Sequence, residues 1–172
     1  EDVLLAACDD GLYTINIKNF ACDKLKGTDE SVKFIQKIDQ QTCVILSQPS
    51  GISELKLRGD SVHLKKLITG LQQPQAETIA HFYFHQKTSE IFLSSLDESL
   101  SVFNLLTGKW TTFTKEEFSA TVNAFYADSE SNIWIATTGK GLYRLSHTDH
   151  SAIHTGGEAV YAITQDQLGR TY

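Results

Sequence analysis

Short apolar runs alternate along this chain with clusters of Gly, Asp, Ser and Asn. The stretch SNIWIATTGKGLYRLS, residues 131–146, shows the pattern best. Ile133, Trp134 and Ile135 form one run, Gly139 and Gly141 mark a turn, and Leu142, Tyr143 and Leu145 form a second run. Two β-branched or aromatic runs joined by a Gly-containing turn predict a β-hairpin. A lone hairpin is marginal in water, so its faces need cover.

The cover comes from repetition. EDVLLAACDDGLYTINI at the start of the chain matches the same stretch at a constant offset of 130 residues, with Val3 on Ile133 and Gly11, Leu12 and Tyr13 on Gly141, Leu142 and Tyr143. Weaker copies occupy 42–57 and 89–105, and the turn positions Gly11, Gly51, Ser99 and Gly141 are 40, 48 and 42 residues apart. A strand-rich period of this size signals a solenoid, propeller or array.

Each copy extends beyond its hairpin. An opening strand with an Asp-led polar turn precedes it at 31–41, 77–89 and 120–132, and again at 158–170. Asp, Ser and Asn favour such reversals because their side chains bond the local backbone. A weaker fourth strand follows at 20–26, 60–68, 108–114 and 151–155. KEEFSA, 115–120, has room for one helical turn, and no longer segment keeps a helical period. The expected fold is all-β, in β-propeller blades of four antiparallel strands.

As one domain, 1–172, the chain divides into units near 1–27, 28–70, 77–114 and 120–156, with 158–172 an extra opening strand. The first unit begins at its second strand, so its opening strand is missing. Two arrangements follow: the extra strand pairs beside residues 3–7 and closes a four-blade ring, or the blades are a slice of a larger propeller.

Composition narrows the function. A net charge of −6 with no basic stripe gives no footprint for nucleic acid. No apolar run reaches the roughly 20 residues that span a bilayer, so no membrane contact is expected of this segment. Cys8, Cys22 and Cys43 are odd in number and lack CxxC spacing, so they define neither a disulfide framework nor a zinc site.

Candidate chemistry is sparse. His81 and His85 lie about 13 Å apart if extended, too far for one metal, and His147, His150 and His154 have no distinctive ligand spacing. These histidines are expected to be solvated in loops and outer strands, with no metal and no cofactor. Asp9-Asp10 and Asp97-Glu98 fall at equivalent turns and Glu116-Glu117 in a link, so they do not converge as glycosidase carboxylates must. No nucleophile, zinc-protease, P-loop or dinucleotide motif is present, and no catalytic residue is expected. Trp134, inside the repeat, is expected in the core; Trp110, beside Thr107-Gly108-Lys109, is the candidate ligand platform. Tyr13 and Tyr143 share one repeat position, which implies a structural role.

Asp128-Ser129-Glu130-Ser131-Asn132-Ile133-Trp134-Ile135-Ala136-Thr137, then Gly139-Lys140-Gly141-Leu142-Tyr143-Arg144, resembles the two-component regulator propeller repeat, D-x-x-G-N-I-W-I-G-T followed by G-G-L-Y-R. Ser131 and Ala136 stand where that pattern has glycine, and Val44 and Phe92 stand where it has tryptophan. The resemblance implies the periplasmic, extracytoplasmic sensor domain of a bacterial hybrid two-component histidine kinase, whose kinase lies outside these residues. It further implies a non-enzymatic role in recognising oligosaccharides released from glycans, with a neighbouring propeller or a second copy as partner. The opening LLAACDDGLYTINI also resembles the citron-homology propeller, which implies a protein-docking scaffold instead.

Overall fold

The computed structural model describes residues 3–58, 61–69, 78–148 and 151–164. Its strands fall into two compact units, Glu1–Glu77 and Thr78–Tyr172. In the first unit, β1 (Val3–Cys8), β2 (Gly11–Asn16) and β3 (Cys22–Lys24) form a three-stranded sheet. A four-stranded sheet follows from β4 (Ser31–Lys37), β5 (Thr42–Gln48), β6 (Gly51–Arg58) and β7 (Ser61–Thr69). The second unit holds two four-stranded sheets. One contains β8 (Ile79–His85), β9 (Glu90–Ser95), β10 (Leu100–Asn104) and β11 (Lys109–Thr112); the other contains β12 (Val122–Ala127), β13 (Ile133–Thr137), β14 (Leu142–Leu145) and β15 (Ala152–His154).

Strands in every sheet pair antiparallel in sequence order, the up-and-down pattern of a propeller blade. Among the described residues the first sheet has three strands and no opening strand. Of the expected extra opening strand at 158–172, residues 158–164 are described. They form no strand and, among the described residues, pair in no ladder. Val160 instead donates its N–H to Thr137 O and accepts from Asn123 Nδ2. The rest of that expected strand, 165–172, lies outside the described residues.

Burial explains the apolar runs. In the second strand of a blade both faces are covered, so β9 is buried throughout and β5 nearly so, whereas β3, β11 and β15 are exposed along their whole length. A strand covered on both sides must be apolar at consecutive positions, hence Cys43-Val44-Ile45-Leu46 rather than strict alternation. Within the first unit Leu12, Val32, Cys43, Ile45 and Leu55 pack together, so the two sheets meet face to face. In the second unit Phe92, Leu100 and Val102 from one sheet meet Val122, Ile133, Ile135 and Tyr143 from the other. Phe118, fully buried in this cluster, comes from the 115–120 link, where the N–H groups of Glu117 and Phe118 both bond Thr114 O and close one turn.

The turns between second and third strands in the first and last sheets share one device. At Gly141 (φ 72) an added Cβ would lie 2.2 Å from Gly156 O, and at Gly11 (φ 146) it would lie 1.9 Å from Thr28 O. In each case the chain leaving the fourth strand presses against the turn. Thr137 Oγ1 donates to Gly141 O, and Ser47 Oγ, at the same repeat position, donates to Gly51 O. The first hairpin differs slightly: Cys8 opposite Gly11 closes β1 on β2 with only Asp9-Asp10 between them, whereas Ala136 opposite Leu142 leaves five residues between the pair.

Candidate functional site

Asp128 organises the turn that introduces the fourth blade's hairpin. Its Oδ1 accepts the N–H groups of Glu130 and Asn132 at 3.0 and 2.9 Å, and its Oδ2 accepts Trp134 Nε1–H at 2.8 Å. Partial burial pushes this carboxyl up, but the bonds from Trp134, from the Asn132 side chain and from the backbone outweigh it and hold it below the usual value. A carboxylate with a depressed folded pKa stabilises the fold above its ordinary pKa of 3.8 and loses that contribution as pH falls through the folded value. Asp128→Asn is therefore expected to be less stable at neutral pH and to flatten the loss of stability below about pH 4. Denaturation midpoints across pH check this; parallel curves for both proteins would contradict it.

The same turn corrects the assignment of Trp134 to the core. Its ring is half-buried, its N–H is held by Asp128, and the Arg144 guanidinium lies 5.9 Å above the ring centroid. The indole has a polar end, and the motif supplies partners for it on the strand's outer side. Ser131, where the repeat pattern has glycine, sits at φ 69. A serine held there is strained, whereas glycine adopts the same conformation freely at some loss of chain entropy. Ser131→Gly is expected to raise stability by about 0.5–1 kcal/mol. A urea midpoint that falls would contradict this.

The histidines also differ from expectation. His85 is buried on β8, with Nδ1 2.8 Å from Thr88 Oγ1, and His81 on the same strand is partly buried. Burial pushes the pKa of both down, because it penalises the charged ring. His147 and His154 are exposed as expected, and His150 lies outside the described residues. Among the described residues no group of His, Cys, Asp and Glu could hold a metal ion.

The acid pairs are dispersed into local roles. Asp9 takes Lys33 Nζ at 2.7 Å, and Asp10 takes the Tyr13 hydroxyl at 2.6 Å. Asp97 bonds both the hydroxyl and the N–H of Ser99. Glu117 caps its own link, its Oε2 accepting Thr114 N–H at 2.8 Å. Tyr143 is buried between Phe118 and His154, with ring centroids 4.9 and 4.5 Å away.

Two cavities have the mixed character of a recognition site. One, of about 520 Å³, lies in the second unit between the 113–117 link and β15, with Phe113 and Tyr143 as aromatic wall and Glu116, Glu117, Ser151 and His154 as polar rim. His154 Nε2 is hydrogen-bonded to Lys140 O. The Glu116 carboxyl is held below its usual pKa by its own backbone N–H and the Thr114 hydroxyl, so it is an anionic acceptor at neutral pH. The other cavity, of about 340 Å³, lies in the first unit between the 27–30 loop and the sheet of β4–β7. Trp110 lines neither. It is 37% exposed on β11 and packs on Phe103, centroids 4.8 Å apart. The polar roles of Trp134 and the aromatic wall at Tyr143 escape sequence reasoning, because both depend on residues brought in from neighbouring strands and links.

Comparison with known proteins supplies a context for these blades. Residues 117–139, which hold the turn of Asp128 and the strand of Trp134, match the family described as two component regulator propeller. No curated sequence matches the chain. Among solved structures, the chain is similar to the extracellular domain of the hybrid two component system BT3049 from B. thetaiotaomicron, with a TM-score of 0.70 at 16% identity over 99% of this chain and 24% of that one. It is similar also to the extracellular domain of the hybrid two component system BT4673 from the same organism, with a TM-score of 0.67 at 14% identity over 99% of this chain and 23% of that one. The computationally designed Ika8 protein is similar too, with a TM-score of 0.62 at 11% identity over 97% of this chain and 51% of the design. The chain thus has the β-propeller fold and spans about a quarter of the length of the two extracellular domains.

Proposed function

We propose that these blades, one of which carries a two component regulator propeller repeat, are part of the periplasmic sensory propeller of a bacterial hybrid two-component histidine kinase. The matched repeat at 117–139 carries this reading, and the likeness in fold to extracellular domains of hybrid two component systems supports it. The blades form a slice of a larger propeller, in keeping with the quarter of those domains that the chain spans. Their role is recognition without catalysis, and the kinase lies elsewhere in the protein. Ligand binding acts by favouring one arrangement of the domain and its partner over another, which biases the kinase.

The ligand is an oligosaccharide. The cavity beside Glu116, Glu117, Ser151 and His154 suits it, because a sugar's hydroxyls bond a carboxylate and polar side chains while the exposed His154 ring, stacked on the buried Tyr143, offers a flat surface. Glu116 is the acceptor, and the exposed ring of Trp110 offers a second platform for a longer chain. The partner is a neighbouring propeller or a second copy. The outer edge of β1, with Val3 and Leu4 53% and 58% exposed, is the surface it would cover.

Titration calorimetry with a panel of glycan-derived oligosaccharides tests this. At least one is expected to give saturable heat, weakened about tenfold by Glu116→Gln through the loss of a charge-assisted hydrogen bond. A folded protein that takes up no member of the panel would overturn the oligosaccharide reading. Unchanged binding in Trp110→Ala would remove that residue from the site.

A further inference from the structure

We propose that the smaller cavity, in the first unit, binds the head group of a free α-amino acid with an aliphatic side chain. This site is separate from the oligosaccharide cavity and does not depend on it. One cross-strand row builds its wall: Ile45 on β5 pairs with Ser53 on β6, which pairs with Lys66 on β7, and all three line the cavity. Val32 and Leu64 extend the apolar part of the lining.

Two features show that the cavity is built for polar cargo. Ser53 is 4% exposed, lines the cavity, and its hydroxyl has no hydrogen-bond partner among the described residues. It is not one of the buried unpaired hydroxyls, which among the described residues are those of Ser94 and Ser95, so it reaches the space of the cavity and is open to a ligand atom. Beside it, opposite charges stand one serine apart. Ser50 Oγ donates to Glu30 Oε1 at 2.5 Å and accepts from Lys66 Nζ at 3.2 Å. Glu30 and Lys66 make no direct ion pair, whereas Asp29, also in the lining, is paired with Lys24 at 3.3 Å.

An α-amino acid presents the complement. Its carboxylate and ammonium sit on one carbon, so both can reach a close pair of opposite charges. The carboxylate accepts from Lys66 Nζ and the Ser53 hydroxyl, the ammonium donates to Glu30, and the side chain lies on Val32, Ile45 and Leu64. A neutral sugar would use neither charge. The volume of about 340 Å³ admits such a molecule with room for bound water beside it.

The test is amide chemical-shift titration of the whole chain with L-leucine, leucinamide, N-acetylleucine and glucose. L-Leucine is expected to give saturable shifts centred on Ser53 and Lys66 at up to about 10 mM, where even a millimolar site fills. The amide and the acetyl derivative each lack one charge and are expected to bind at least about tenfold more weakly. Lys66→Met and Ser53→Ala, both with unchanged melting, are expected to weaken L-leucine by a similar factor. No saturable shift with L-leucine overturns the proposal. So do equal shifts from leucinamide and N-acetylleucine, or a response to glucose at these residues in place of leucine. Oligosaccharide binding at Tyr143 and His154 is read at different amides, so either site can fail alone.

Discussion

Gly141→Val is expected to melt roughly 10 °C below the parent, a loss of at least about 3 kcal/mol for a chain of this size. Two costs combine. Residue 141 holds φ 72, where a β-branched side chain is strained by about 1–3 kcal/mol. In addition, any Cβ there would sit 2.2 Å from Gly156 O and 2.7 Å from Gly156 C, both backbone atoms of the segment leaving β15. A flexible side chain could swing away from such a contact; backbone cannot move without pulling the fourth strand off the sheet. Gly139 is the control. It has the same φ of 72, but nothing lies within 4 Å of an added Cβ, so Gly139→Ala carries only the conformational cost. Equal melting of Gly139→Ala and Gly141→Ala would show that the approach of Gly156 does not matter. Unchanged melting of Gly141→Val would remove the hairpin itself.

Phe118→Ala is expected to cost about 3–5 kcal/mol, the range for a fully buried aromatic side chain. Phe118 is 0% exposed although it lies in a link, and its ring meets Tyr143 at 4.9 Å amid a cluster that draws on both sheets of the second unit. Truncation leaves a cavity between two sheets that a β-ladder cannot easily close. Leucine at 118 restores much of the volume and is expected to recover more than half of the loss. A loss below about 1 kcal/mol, read from urea denaturation, would place the ring outside the core.

The blades were legible in the sequence because apolar runs such as those of β5 and β9 are strands covered on both faces, and the turns repeat a Gly or Asp. Ile133, Ile135 and Leu142 on β13 and β14, and their counterparts in the other blades, need only local pattern to be placed. Fourth strands were legible for the opposite reason: Cys22–Lys24 and Ala152–His154 are exposed, so their weak patterns mark edges. Trp134 misled because an aromatic residue at mid-strand reads as core, whereas its N–H needs a partner and finds Asp128 six residues earlier. His85 misled in the other direction, since its burial comes from tertiary packing around β8 that no local pattern records. The cavities were not legible at all. Tyr143 and Glu116, or Ser53 and Glu30, are far apart in sequence, and only the folding of links and loops onto the sheets brings them to one cavity.

Chemical-shift mapping of the chain with the oligosaccharide that gives the strongest calorimetric signal tests the central claim most directly. The account predicts saturable shifts concentrated at Phe113, Glu116, Tyr143 and His154, with the strands of the first unit unmoved. Saturable shifts confined to other residues, or none from any oligosaccharide in a chain whose strands remain protected, would contradict it.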